Sequence, residues 1–191
     1  EKRIKGATFS FLTEDYLQEK YPVVYSEKNI YLSGNLLSSD EIVSAVHLLQ
    51  ENDALHSDDG SLIAFRSKER LDLTSLEQID CNPISFSSKV SSIDHVWDIF
   101  SKNGEEIEKD FDLITKGRKS QELDRTNTHI GERLFVEDGA KVQAAILNTT
   151  SGAIYIAKDA EVMEGSVVRG GLALCEGAVL KLASKIYGPT T

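Results

Sequence analysis

A chain of 191 residues is long enough to bury a core without disulfide or metal staples, either as one medium domain or as two small ones. Its net charge of −10 argues against nonspecific nucleic-acid binding, which relies on clustered Lys and Arg to neutralise phosphates. Hydrophobic residues make up 40% of the chain, yet no apolar run approaches the roughly 20 residues of a membrane helix, so the sequence reads as soluble.

The charge is unevenly shared. Residues 126–191 hold six basic and seven acidic side chains, which leaves fifteen basic and twenty-four acidic ones on residues 1–125. The opening EKRIKGATFSFL has no initiator Met, no basic-then-apolar signal and no small-residue cleavage site, so Glu1 reads as a cut end. Cys81 and Cys175 lack any metal-ligand or redox spacing and suit a reducing cytoplasm.

In chain order, ATFSFL (7–12) predicts a strand and TEDYLQEK (13–20) a helix, with Thr13 as N-cap, Glu14 and Asp15 in the first turn and Pro22 beyond the end. NIYLSG (29–34) predicts a buried strand stopped by Gly34. Ser38 and Glu41 then have capping-box spacing ahead of Ile42, Val43, Val46 and Leu49, which predicts a second helix. SLIAFR (61–66) makes a third strand, whereas 67–93 mixes short apolar pairs with Ser and Pro and is expected to be mostly loop. Residues 94–115 carry Trp97, Phe100, Ile107, Phe111 and Ile114, predicting one or two helices broken near Asn103-Gly104. Strands alternating with helices predict a parallel sheet covered on both faces. The stretch GRKSQELDRTNT (117–128) has Leu123 as its only large apolar residue and is the expected linker between a domain at 1–116 and another at 129–191.

The final third repeats with a period of six. Ile130, Val136 and Val142 precede Ile156, Val162, Val168, Leu174, Leu180 and Ile186, and the 14 positions from Val142 to Ile156 are two sixes plus two, so NTTSG is expected to bulge. Small residues recur four positions after the aliphatic one, at Ala140, Ala160, Ser166, Ala178, Ser184 and Thr190. Neither a helix nor an alternating strand has this period. Hexapeptide repeats are the mark of a parallel β-helix, with one aliphatic inside and one corner per side. Three sides make a coil, so Ile156 is expected to stack on Leu174, Val162 on Leu180 and Val168 on Ile186.

An α/β part followed by such coils resembles the bacterial sugar-1-phosphate nucleotidyltransferases, the group that includes bifunctional N-acetylglucosamine-1-phosphate uridylyltransferase/glucosamine-1-phosphate acetyltransferase. The closer resemblance is to a bacterial branch of sugar nucleotidyltransferases and rests on FLTEDYLQEKYP, VWDIFSKNGEEIEKDF, TKGRKS, AILNTTSGAIYIAKDAEVMEGSVVRG and KIYGPTT. It implies a partial Rossmann-type nucleotidyltransferase-like domain, a left-handed parallel β-helix and assembly as a cytoplasmic homotrimer. The implied substrates are a nucleoside triphosphate and a sugar 1-phosphate, joined into a nucleotide sugar with Mg²⁺.

Phosphoryl transfer needs a phosphate cradle, a metal and a cation on the developing charge. The first predicted strand here runs into the acidic Thr13-Glu14-Asp15, so the family's glycine-rich opening segment is expected to lie before Glu1. In the uridylyltransferases a strand ends in Gly-Asp; the comparable strand here ends YLSGNLL, which puts Asn35 at the metal-binding carboxylate's place and leaves Mg²⁺ without a carboxylate. The substrate-binding candidates are therefore Gly34 and Asn35, or a plain turn in their place, and the cluster Lys116, Arg118 and Lys119, or a solvated linker. This chain alone is expected to be inactive. Two alternatives stay open: a noncatalytic trimerising hexapeptide module, and an acyltransferase whose site lies in coils beyond Thr191. The coils offer only His129, at their entrance, as a base; His47, His56 and His95 read as structural.

Overall fold

A computed structural model describes Ile4, residues 6–76 and residues 80–191. The chain divides into two compact units, 1–94 and 95–191. The first contains α1 (Asp15–Gln18), β1 (Asn29–Leu32), β2 (Leu36–Leu37), α2 (Asp40–Leu48), β3 (Asp53–Ser57), β4 (Leu62–Ser67), α3 (Leu73–Leu76), β5 (Asn82–Phe86) and β6 (Ser91–Ser92).

Four of these strands form a sheet in the order β1-β4-β3-β5. It is mixed and not parallel as predicted: β4 runs antiparallel to both β1 and β3, and only β3 and β5 are parallel. The physical reason is the connection. β3 and β4 are joined by the short Asp58–Gly60 turn, with Gly60 at φ 86°, and a connection that short joins antiparallel strands only. The helix predicted after Ser38 is α2, but its cap is Ser39, whose hydroxyl accepts from the Ile42 amide. Ile42, Val46 and Leu49 bury against Leu55, Ile63, Ala64 and Phe86, while Ala54, Phe65 and Leu71 make a separate small core.

Three further expectations are corrected in this unit. Residues 7–12 form no strand, and α1 is a single turn capped at Glu14, with Thr13 instead accepting from the Gln18 amide. β1 is half-buried and not fully buried, because it lies at the sheet edge. The 67–93 stretch contains β5, whose Pro83 is tolerated because β5 is the other edge strand. Positions 77–79 of that stretch, like Glu1, lie outside the described residues.

The second unit opens with α4 (Val96–Thr115), a single helix unbroken at Asn103-Gly104. It continues with β7 (Thr128–Ile130), β8 (Leu134–Val136), β9 (Lys141–Val142), β10 (Ile146–Asn148), β11 (Ile154–Ile156), β12 (Glu161–Val162), β13 (Val167–Arg169), β14 (Leu172–Leu174), β15 (Val179–Leu180) and β16 (Lys185–Tyr187). These strands pair in parallel as three walls, β7-β10-β13-β16, β8-β11-β14 and β9-β12-β15, a parallel β-solenoid of about three turns. The sixfold register holds: Ile156 pairs with Leu174, Val162 with Leu180 and Val168 with Ile186. Val136, Val142, Ile156, Val162 and Val168 fill one dry interior, each worth ~1.5–3 kcal/mol by burial. Ala140, Ala160 and Ser166 are buried at corners.

Two positions depart from the repeat. Leu147, five residues after Val142, supplies the inward side chain opposite Val168, and the extra residues bulge at Thr149–Gly152. One coil earlier the partner of Leu147 is His129 and not Ile130, which is exposed. Residues of 117–128 are hydrogen-bonded along the first coil. The amides of Gln121 and Asn127 donate to Ala140 O and Val142 O and accept from the amide N–H groups of Gly139 and Ala145, standing in for a missing strand at the edge of β9.

Candidate functional site

The predicted Gly34-Asn35 position is the turn between β1 and β2. Ser33 N–H donates to Ile63 O at 3.1 Å, and the Leu36 amide closes the turn onto Ser33 O. Gly34 is exposed with open space where a Cβ would stand and without a positive φ, so the turn does not demand glycine. Asn35 is committed on both sides: its Oδ1 accepts from the Ser33 hydroxyl at 2.7 Å, and its Nδ2 donates to Asp94 Oδ1 at 3.0 Å. Its carbonyl accepts from the Ile93 amide at 2.7 Å, which continues the β2–β6 pairing. The Ser92 hydroxyl donates to the other oxygen of Asp94 at 2.7 Å.

A carboxylate thus stands beside the amide where the sequence offered none. Asp94 comes from 59 residues away, and its one sequence signal, SSxD ahead of a helix, also reads as ordinary capping. Whether the pair fits Mg²⁺ is decided by its donors. Mg²⁺ takes one or two carboxylates and leaves the remaining ligands to waters and substrate phosphates. Here one carboxylate has both oxygens hydrogen-bonded, the amide oxygen is occupied, and no group of three or more potential ligands exists among the described residues. The residues present do not fit a resident ion.

The Lys116–Lys119 cluster follows α4 in the second unit. Lys116 is the helix C-cap, and Gly117 adopts φ 73°, the left-handed conformation that suits glycine after a helix. Arg118 turns back onto the structure: its guanidinium donates to Ile114 O at 3.0 Å and to Glu137 Oε1 at 2.6 Å, and lies 5.0 Å from the Phe135 ring centroid. Glu137 also accepts from the Tyr155 hydroxyl and from the Lys158 amide at 3.0 Å. The Tyr155 hydrogen bond, ahead of the Arg118 pairing, holds the Glu137 carboxyl below its ordinary range even though burial opposes it. Burial first, and Glu137 second, push the Tyr155 phenol up. The predicted cations therefore divide, Arg118 into a structural clamp and Lys116 and Lys119 onto the exposed surface.

Each histidine has local partners. His47 Nδ1 lies 2.8 Å from Val43 O and His56 Nδ1 3.2 Å from Ala54 O; His95 caps α4 and stacks on Trp97, and His129 Nε2 lies 3.5 Å from Thr149 Oγ1 in the first coil.

Residues 1–119 match the family described as sugar nucleotidyl transferase. The chain belongs to the sugar nucleotidyl transferase family. The match takes in the mixed sheet, α4 and the whole basic cluster, and ends where the first coil begins, so α4 belongs to the family region by sequence and to the solenoid unit by packing. Searches of curated proteins and of solved structures found no match. Family members are generally metal-dependent and act on a nucleoside triphosphate and a sugar phosphate.

Proposed function

We propose that this chain is part of a nucleotidyltransferase that forms a nucleotide sugar from a nucleoside triphosphate and a sugar 1-phosphate. The observation that carries the reading is the family match across 1–119. In support, the Gly34-Asn35 turn is exposed at the end of an edge strand with Asp94 beside it, and Lys116 and Lys119 are exposed cations suited to phosphate oxygens. Asn35 and Asp94 orient one another, and Ser33 and Ser92 fix the pair. The coils serve as a trimerising platform in the cytoplasm, and light scattering at a threefold mass checks that assembly.

A second reading, a noncatalytic module, draws on one observation: Arg118 and Asn35 are both spent on structural contacts. The deciding experiment is pyrophosphate release with a panel of triphosphates and sugar phosphates. It is run on this chain and on one extended upstream by a glycine-rich segment. Turnover by the extended chain alone is expected; turnover by the short chain refutes the missing-cradle argument, and silence from both favours the module.

A further inference from the structure

Arg118 and Glu137 are unequally committed to each other. Glu137 stands just after β8 with 18% of its side chain exposed, and its carboxylate has three donors: the Arg118 guanidinium and the Tyr155 hydroxyl on Oε1, and the Lys158 amide on Oε2. Without Arg118 a phenol and a backbone N–H remain, one on each oxygen, so the carboxylate stays satisfied. Arg118 is the looser partner. Its side chain is 41% exposed, and its remaining contacts are the Ile114 carbonyl, the Tyr155 hydroxyl and the face of Phe135. An ion pair this open to water contributes little and is screened by salt.

The loop that carries Arg118 holds uncompensated positive charge. Residues 116–121, KGRKSQ, have three cations and no carboxylate, in a chain with 31 acidic and 21 basic side chains. Lys116 and Lys119 are exposed, and neither makes an ion pair among the described residues. Gly117 at φ 73° and the Arg118 amide on Thr115 O at 2.9 Å fold the chain tightly after α4, which keeps the three cations within one turn. A phosphate group offers Arg118 two oxygens in the bidentate geometry that guanidinium matches, and it brings a larger charge than one carboxylate.

We propose that the Arg118–Glu137 pair is an autoinhibitory latch: a phosphate-bearing ligand that reaches Lys116 and Lys119 draws Arg118 off Glu137 and is held by all three cations. The ligand class rests on the nucleotidyltransferase reading, whereas the latch rests on the two donors that Glu137 keeps.

The test is calorimetric titration at constant ionic strength with inorganic pyrophosphate and, separately, glucose 1-phosphate. It compares the wild type with Glu137→Gln, Arg118→Gln and the double variant, each checked for its fold by circular dichroism. Glu137→Gln loosens the hold on Arg118 and is expected to bind severalfold more tightly, a gain that disappears when Arg118 is also replaced. Unchanged or weaker binding by Glu137→Gln overturns the latch. A gain that persists without Arg118 is a general charge effect and overturns it too, as does the absence of binding by every variant. Where Glu137→Gln does not hold the fold, Tyr155→Phe supplies the test at constant charge: it removes one of the two replacement donors, so severalfold weaker binding is expected and unchanged binding overturns the proposal. Preference for pyrophosphate assigns the latch to the triphosphate, and preference for glucose 1-phosphate assigns it to the sugar phosphate. Because the readout is affinity and not turnover, an inactive chain that binds in this pattern refutes the nucleotidyltransferase reading and leaves the latch standing.

Discussion

The solenoid interior makes its strongest prediction at Ile156. This side chain is fully buried on β11, between Val136 of the coil before and Leu174 of the coil after. Ile156→Ala removes three carbons, ~2.4 kcal/mol at ~0.8 kcal/mol per buried methylene. The cavity left behind adds to this, because backbone ladders on both sides hold the walls apart, and brings the total toward ~3–4 kcal/mol within the range for Ile→Ala substitutions. For a cooperative unit of this size each kcal/mol lowers the melting temperature by ~4–8 °C. Urea and thermal unfolding followed by circular dichroism and Trp97 fluorescence measure it, with the exposed Lys185→Ala as the control expected to change stability by under ~0.5 kcal/mol. Equal effects at the two positions refute the assignment of Ile156 to a dry interior, and with it the sixfold register.

Gly152→Ala places a Cβ against the Gly171 amide and 2.9 Å from its Cα, backbone that no rotamer change can clear, so a loss of a few kcal/mol in urea unfolding is expected. Glu137→Gln tests the clamp on Arg118 and Tyr155. Because the folded carboxyl is held low, its contribution is present above the ordinary Glu range and is lost as pH falls through the depressed value, so the variant's unfolding free energy should show a shallower fall on acidification than the wild type's. Asn35→Asp sets a second carboxylate at hydrogen-bond distance from Asp94; thermal unfolding should show destabilisation at neutral pH that lessens as pH drops, and recovery with millimolar Mg²⁺ if the turn accepts a metal once it has two carboxylates.

What the sequence disclosed depended on whether the relevant interaction is periodic. Ile156, Val162 and Val168 announce their partners because the repeat is itself the stacking rule, each residue meeting the next coil's copy of itself. The same rule failed locally at Ile130, where a one-residue shortening before Leu147 pairs that residue with the exposed His129 instead. No spacing count from later coils registers such a slip. Gly104 shows the opposite error. Beside Asn103 it looked like a helix breaker, whereas its absent side chain is what allows α4 to approach Pro189, a cause that lies 85 positions away. The Asn35–Asp94 pair and the Arg118–Glu137–Tyr155 clamp were unreadable for the same reason: each joins residues from separate elements through one or two side-chain hydrogen bonds, without repetition to advertise them. Trp97 and Phe100 count among the apolar residues that predict the helix, and both are exposed on it. Helical spacing places both on the face that carries Ile107 and Phe111, yet of the four only Ile107 and Phe111 are buried, because spacing fixes a face and not what lies against it.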